Sequence, residues 1–145
     1  DFCEPLNIKI VSTCSSHHRW RKDPPLPEQL ERLSAALGRL CPVAADYGVT
    51  FAIENHADYR ASDILEILER VNSPNLRAQL DTGNPYAVAE EPLDAARLLA
   101  PYTVSTHIKD MTIAPLTGGE WVKAEARDDA AAQRWESPAK PRAAE

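Results

Sequence analysis

Three short runs, Phe51-Ala-Ile-Glu-Asn-His56, Ala78-Gln-Leu-Asp-Thr-Gly-Asn84 and Thr103-Val-Ser-Thr-His-Ile-Lys-Asp110, each end a strand-like segment in residues that can ligate a metal. Glu54, Asp81 and His107 recur at nearly even spacing, about one strand–helix unit apart, which constrains the chain to a repeating βα architecture. In a parallel barrel the C-terminal ends of all strands surround one mouth, so residues remote in sequence converge there.

The stretches between these runs fit the same alternation. Ile8 to Thr13 is predicted as a buried strand rich in β-branched residues. The polar stretch Ser15 to Pro25 has loop composition, and its His17, His18, Arg19, Trp20 and Arg21 fall on the mouth side, where a solvated loop is favoured over a substrate lid. Pro27 to Tyr47 carries Leu30, Leu33, Leu37, Leu40 and Ala44 at helical spacing, with Pro42 expected to kink or split the helix and Gly48 to end it. Val49 to Glu54 is the second strand. Ser62 is the expected N-cap of a helix over Asp63 to Val71, with a stripe of Ile64, Leu65, Ile67, Leu68 and Val71. A turn at Asn72 to Asn75, a strand at Leu76 to Asp81, a short helix at Pro92 to Leu99 and a strand at Tyr102 to Ile108 complete the pattern. Thr117-Gly-Gly119 reads as a turn with a short strand near Trp121. Lys123 to Glu145, rich in Ala, Pro and charge, reads as a frayed helix and disordered tail. The expected organisation is one partial barrel over residues 1–122 and a divergent tail over 123–145.

Side chains two apart share a strand face, so Ala52, Glu54 and His56 point one way and Phe51 and Ile53 the other. Gln79 and Asp81 oppose Leu80, and Ser105, His107 and Lys109 oppose Val104 and Ile108. The polar faces suit a barrel interior opening into a pocket, and the apolar faces suit packing under helices. Two carboxylates and an imidazole are a reasonable set for Mn²⁺, Mg²⁺ or Co²⁺, with Zn²⁺ also admissible. Such an ion polarises a carbonyl and stabilises the enediolate left when the neighbouring carbon loses its proton. Glu54 is the candidate for both ligand and general base, given a pKa raised toward neutrality. Lys109 is placed to bind a substrate oxygen or phosphate.

Bulk properties narrow the classes. The 145 residues are ample for one core but short beside the roughly 250 of a closed eight-unit barrel. A net charge of −6 argues against a nucleic-acid surface. No apolar run approaches the ~20 residues of a membrane span, and no basic-then-apolar leader opens the sequence, so no membrane partner is expected. Cys3, Cys14 and Cys41, odd in number and without metal-type spacing, fit reduced thiols in a cytoplasmic protein.

From about Ile8 to Trp121 the chain resembles the sugar phosphate isomerase/epimerase group of xylose isomerase-like TIM barrels. The resemblance is carried by Tyr47-Gly-Val-Thr-Phe-Ala-Ile-Glu-Asn-His56, Leu80-Asp-Thr-Gly-Asn84 and His107-Ile-Lys-Asp110. It implies an α/β fold, a partial (β/α)8 TIM barrel holding roughly strands 4 to 7. It also implies Glu54, Asp81 and His107 as ligands of one divalent metal, with Asn84 at a position that serves substrate or metal. His56 and Lys109 are further candidates for substrate contacts. The substrate class so implied is a sugar, sugar phosphate or polyol, and the reaction a proton transfer next to a carbonyl. The family's last-strand glutamate, commonly the partner acid/base, has no counterpart after His107; Glu120, Glu125 and Glu136 sit in unsuitable contexts.

Two other readings compete. One is a catalytically silent barrel fragment or assembly module, whose open strand edges would call for an oligomer or a completing chain. The other is a zinc phosphodiesterase of the abasic-site endonuclease type. That site needs extra histidines, including one where Asn84 stands, and a surface less acidic than this one.

Overall fold

The computed structural model describes residues 3–15 and 24–109, all within one compact unit spanning Asp1–Met111. The elements alternate as the sequence predicts: β1 (Ile10–Thr13), α1 (Leu26–Asp46), β2 (Thr50–Glu54), α2 (Ala61–Val71), β3 (Leu76–Asp81), a 3-10 turn (Asn84–Val88), α3 (Pro92–Leu99), a second 3-10 turn (Ala100–Tyr102) and β4 (Thr103–His107). The strands form one sheet in the order β1-β2-β3-β4, and every neighbouring pair is parallel. This is half of a (β/α)8 barrel. The tail boundary at residue 122, the Trp121 segment and the loop bearing His17 to Arg21 lie outside the described residues.

Register sets the height of each site residue. Glu54 is level with Gln79, and Asp81 is level with His107, after an irregularity at Ala78/Gln79. Asp81 therefore stands one inward-facing position beyond Gln79, the stagger a barrel requires between successive strands.

The core lies between the sheet and the helices. Ile53, Leu76 and Ala78 of the strands meet Leu30, Leu37 and Cys41 of α1, Ile64, Ile67 and Leu68 of α2, and Ala95 and Leu99 of α3. Leu40, expected in this stripe, is 47% exposed. At 100° per residue it swings off the face that Leu37 and Cys41 share, and lies with exposed Val43 and Tyr47 instead. Val104 on the predicted outward face of β4 and Ile108 just beyond the strand are exposed.

Pro42 does not split α1, which runs unbroken from Leu26 to Asp46. Its ring projects from the exposed side, so the hydrogen bond it forgoes is one that water can replace. Gly48 then takes φ +60, with its N–H donating to Ala45 O at 3.0 Å and Val49 N–H to Ala44 O at 2.8 Å, closing the helix before β2.

The start of α2 differs from the expected Ser62 cap. The capping residue is Arg60, whose N–H donates to Asp63 Oδ2 at 2.8 Å, while Ala61 N–H donates to both Glu90 carboxylate oxygens at 3.0 and 3.2 Å. Two carboxylates at the positive end of the helix stabilise it. Because Glu90 follows β3, its contact also ties the β2–α2 loop to the next unit, as does Arg60 Nε donating to Val88 O at 3.2 Å.

Candidate metal centre

Parallel pairing puts the C-terminal ends of β2, β3 and β4 side by side, and inward alternation aims Glu54, Asp81 and His107 at one point. One ligand atom from each lies within 4.8 Å of the other two. Asp81 is fully buried and Glu54 nearly so, whereas the His107 side chain is 54% exposed, so the cluster opens to solvent on the β4 side.

Neutral amides hold the two carboxylates in place. Gln79 Nε2 donates to Glu54 Oε2 and Asn84 Nδ2 to Glu54 Oε1, both at 3.1 Å. His107 Nδ1 is 3.2 Å from Glu54 Oε1 and 3.7 Å from Asp81 Oδ2. Gln79 Nε2 also stands 3.2 Å from His107 Nε2. Asp81 Oδ1 accepts the N–H groups of Gly83 and Asn84, each at 2.9 Å. Its Oδ2 is buried and pairs with the Lys109 ammonium at 2.6 Å. Lys109 Nζ also donates to Asn84 Oδ1 at 2.9 Å. Burial alone would push the Asp81 carboxyl up, but the Lys109 ammonium and the Asn84 and Gly83 N–H groups outweigh it and hold the acid below its ordinary value.

These residues fit a divalent ion. The donor set mixes hard carboxylates with one imidazole, and Asp81 presents a buried oxygen paired with an ammonium that an ion can displace. Asn84 and Lys109 join the cluster as the sequence suggests. His56 does not: it sits exposed on the turn after β2, its N–H donating to Glu54 O at 2.9 Å.

Two contributors carried a signal that sequence reasoning did not use. Gln79 is 2% exposed and polar in the middle of an inward strand face, a position that calls for a polar neighbour. Asn55 is 1% exposed, and its side chain bonds the backbone of Asp81, with Asp81 N–H donating to Oδ1 at 2.7 Å. A polar residue directly after a strand-end carboxylate was its only cue.

A parallel βα sheet bearing the polar ends of three successive strands at one mouth defines a barrel protein with its functional groups in the usual place for that architecture. The chain belongs to the xylose isomerase-like TIM barrel family, which residues 1–133 match. It is 33% identical over 119 residues to the 3-oxo-isoapionate decarboxylase of Pectobacterium atrosepticum, covering 81% of this chain and 40% of that protein. Among solved structures, a xylose isomerase domain protein from Planctomyces limnophilus superposes with TM-score 0.64 at 27% identity, covering 79% of this chain and 40% of that one. An L-ribulose 3-epimerase superposes with TM-score 0.63 at 25% identity, covering 73% and 38%. The chain thus spans about two fifths of the length of these relatives. Among the described residues no helix is long and apolar enough to cross a membrane.

Proposed function

We propose that this chain supplies the metal-binding half of a sugar or polyol isomerase/epimerase-type barrel, with Glu54, Asp81 and His107 holding one divalent ion. The observation that carries the reading is the meeting of these three side chains, within 4.8 Å, at the ends of adjacent parallel strands. When bound, the ion supplies Lewis acidity toward a substrate carbonyl.

The chain's own residues supply the rest. Glu54 is the proton carrier, kept in one orientation by the Gln79 and Asn84 amides. Lys109 and Asn84, bonded to each other at the open side, are placed to take substrate hydroxyl or phosphate oxygens. His56, exposed beside the mouth, is the remaining candidate for a substrate contact. The 25% identical epimerase supports a sugar as substrate. A zinc-cluster phosphodiesterase finds less support, since Asn84 occupies the position where it would need a histidine.

The 33% identical decarboxylase favours a second reading of the same site. Loss of a proton and loss of CO₂ both leave an electron pair beside a carbonyl, so one set of residues serves either reaction.

The test is incubation of the Mn²⁺-loaded chain in D₂O with ketopentoses and ketohexoses, read by proton NMR. Isomerase/epimerase chemistry gives deuterium incorporation beside the carbonyl that Glu54→Gln abolishes. CO₂ release from a 3-oxo acid, without deuterium incorporation into ketoses, would select the second reading. Neither activity in a metal-loaded chain would overturn turnover by this polypeptide and favour the silent fragment.

A further inference from the structure

On each seam between the strands that carry the cluster, the residue following a site residue grips the next strand through its side chain. After Glu54, Asn55 takes both polar backbone groups of Asp81: the Asp81 N–H donates to Asn55 Oδ1 at 2.7 Å, and Asn55 Nδ2 donates to Asp81 O at 3.0 Å. After Asp81, Thr82 repeats the arrangement on Lys109. Its Oγ1 accepts the Lys109 N–H at 2.8 Å and donates to Lys109 O at 3.0 Å. The Thr82 N–H meanwhile donates to His107 O at 3.0 Å.

These grips begin where the sheet stops. The paired register ends at Glu54–Gln79 on one seam and at Asp81–His107 on the other. A strand end would satisfy its spare N–H and C=O groups with any donor or acceptor, water included. Here each grip instead falls on a residue whose side chain enters the cluster, and it holds that residue from both sides of its Cα. Fixing N–H and C=O together fixes the direction of Cβ. That aims the Asp81 carboxylate at the cluster and the Lys109 ammonium at Asp81 Oδ2, 2.6 Å away.

We propose that Asn55 and Thr82 are positioning residues, which transmit the placement of Glu54 to Asp81 and that of Asp81 to Lys109 through paired side-chain-to-backbone hydrogen bonds. The inference rests on the metal-centre reading for its effect on affinity, but not for its effect on geometry.

The test compares Asn55→Ala, Thr82→Val and Thr82→Ser with the unsubstituted chain by two readouts. One is Mn²⁺ affinity by calorimetry. The other, on metal-free protein, is the set of three-bond couplings that report the side-chain rotamers of Asp81 and Lys109. Asn55→Ala is expected to weaken Mn²⁺ binding by about 10- to 100-fold, the usual effect of removing a residue that orients a ligand, and to average the Asp81 rotamer. Thr82→Val is expected to average the Lys109 rotamer, and Thr82→Ser, which keeps the hydroxyl, to retain it. Ile67→Val, which loosens the core alone, leaves both readouts unchanged.

If the unsubstituted chain takes up no Mn²⁺, the metal reading falls and the couplings alone decide positioning. A folded Asn55→Ala chain with unchanged Asp81 couplings and unchanged Mn²⁺ affinity overturns the inference. Should Asn55→Ala fail to fold, Asn55→Asp, which retains the acceptor for the Asp81 N–H but loses the donor, is read in its place by the same criteria.

Discussion

Removing the Lys109 ammonium leaves a fully buried carboxylate oxygen facing no cation, and the consequence can be sized. At 2.6 Å and the effective dielectric of a site near the surface, the Asp81–Lys109 attraction is roughly 6 kcal/mol before any cost is subtracted. The Lys109 side chain is 42% exposed, so water screens the pair, and holding a long flexible chain in one geometry opposes much of the rest. The net contribution should be about 1–2 kcal/mol, between an exposed ion pair and a fully buried one.

Lys109→Met is therefore expected to lower the stability of the metal-free chain by about that amount near neutral pH, measured by urea unfolding. The loss carries a pH signature. Because the folded state holds the Asp81 acid below its ordinary value, its contribution is present above the ordinary carboxylate value and disappears as pH falls through the lowered one. The difference between the two chains should accordingly shrink in acid. A double-mutant cycle with Asp81→Asn isolates the pair, and its coupling should match the difference seen near neutral pH. Equal stability of both chains across the pH range, or zero coupling, would refute the claim that this ammonium compensates Asp81.

Two further perturbations probe the scaffold. Asp58 is 2% exposed, and burial pushes its carboxyl up from the ordinary value. An acid raised by folding makes stability fall as pH rises through the window from the ordinary to the raised value. Asp58→Asn should thus stabilise the chain near neutral pH and leave it unchanged in acid, as read by thermal unfolding at both pH values. Pro42→Ala restores a missing helical N–H on the exposed side of α1, and should raise stability by about 1–3 kcal/mol in urea unfolding. No gain would mean that α1 has already relaxed around the ring.

Local periodicity made most of the scaffold legible. Among the described residues the four strands and three helices fall where β-branched runs, leucine spacing and Gly48 place them, with ends displaced by at most two residues. What sequence could not reveal was set by tertiary partners. Ser62 looked like the cap of α2 because caps are read from neighbours, whereas Glu90, nearly thirty positions later, supplies the carboxylate for Ala61. Leu40 shares a spacing with the core leucines but falls on the wrong side of the helix cylinder. At the site, Glu54, Asp81 and His107 were visible because each ends a strand in a recognisable run. Asn84 and Lys109 followed from the same runs. Gln79 and Asn55 went without a role because each acts through another residue, and the register that brings Gln79 level with Glu54 appears only in three dimensions.

The central claim is that three strand ends make one metal site. Mn²⁺ titrated into the metal-stripped chain by calorimetry, beside Glu54→Gln, Asp81→Asn and His107→Ala, tests it directly. One ion per chain is expected, with each substitution weakening the affinity at least tenfold while circular dichroism shows the fold retained. A folded chain that takes up no ion, or one whose affinity is indifferent to all three substitutions, would contradict it.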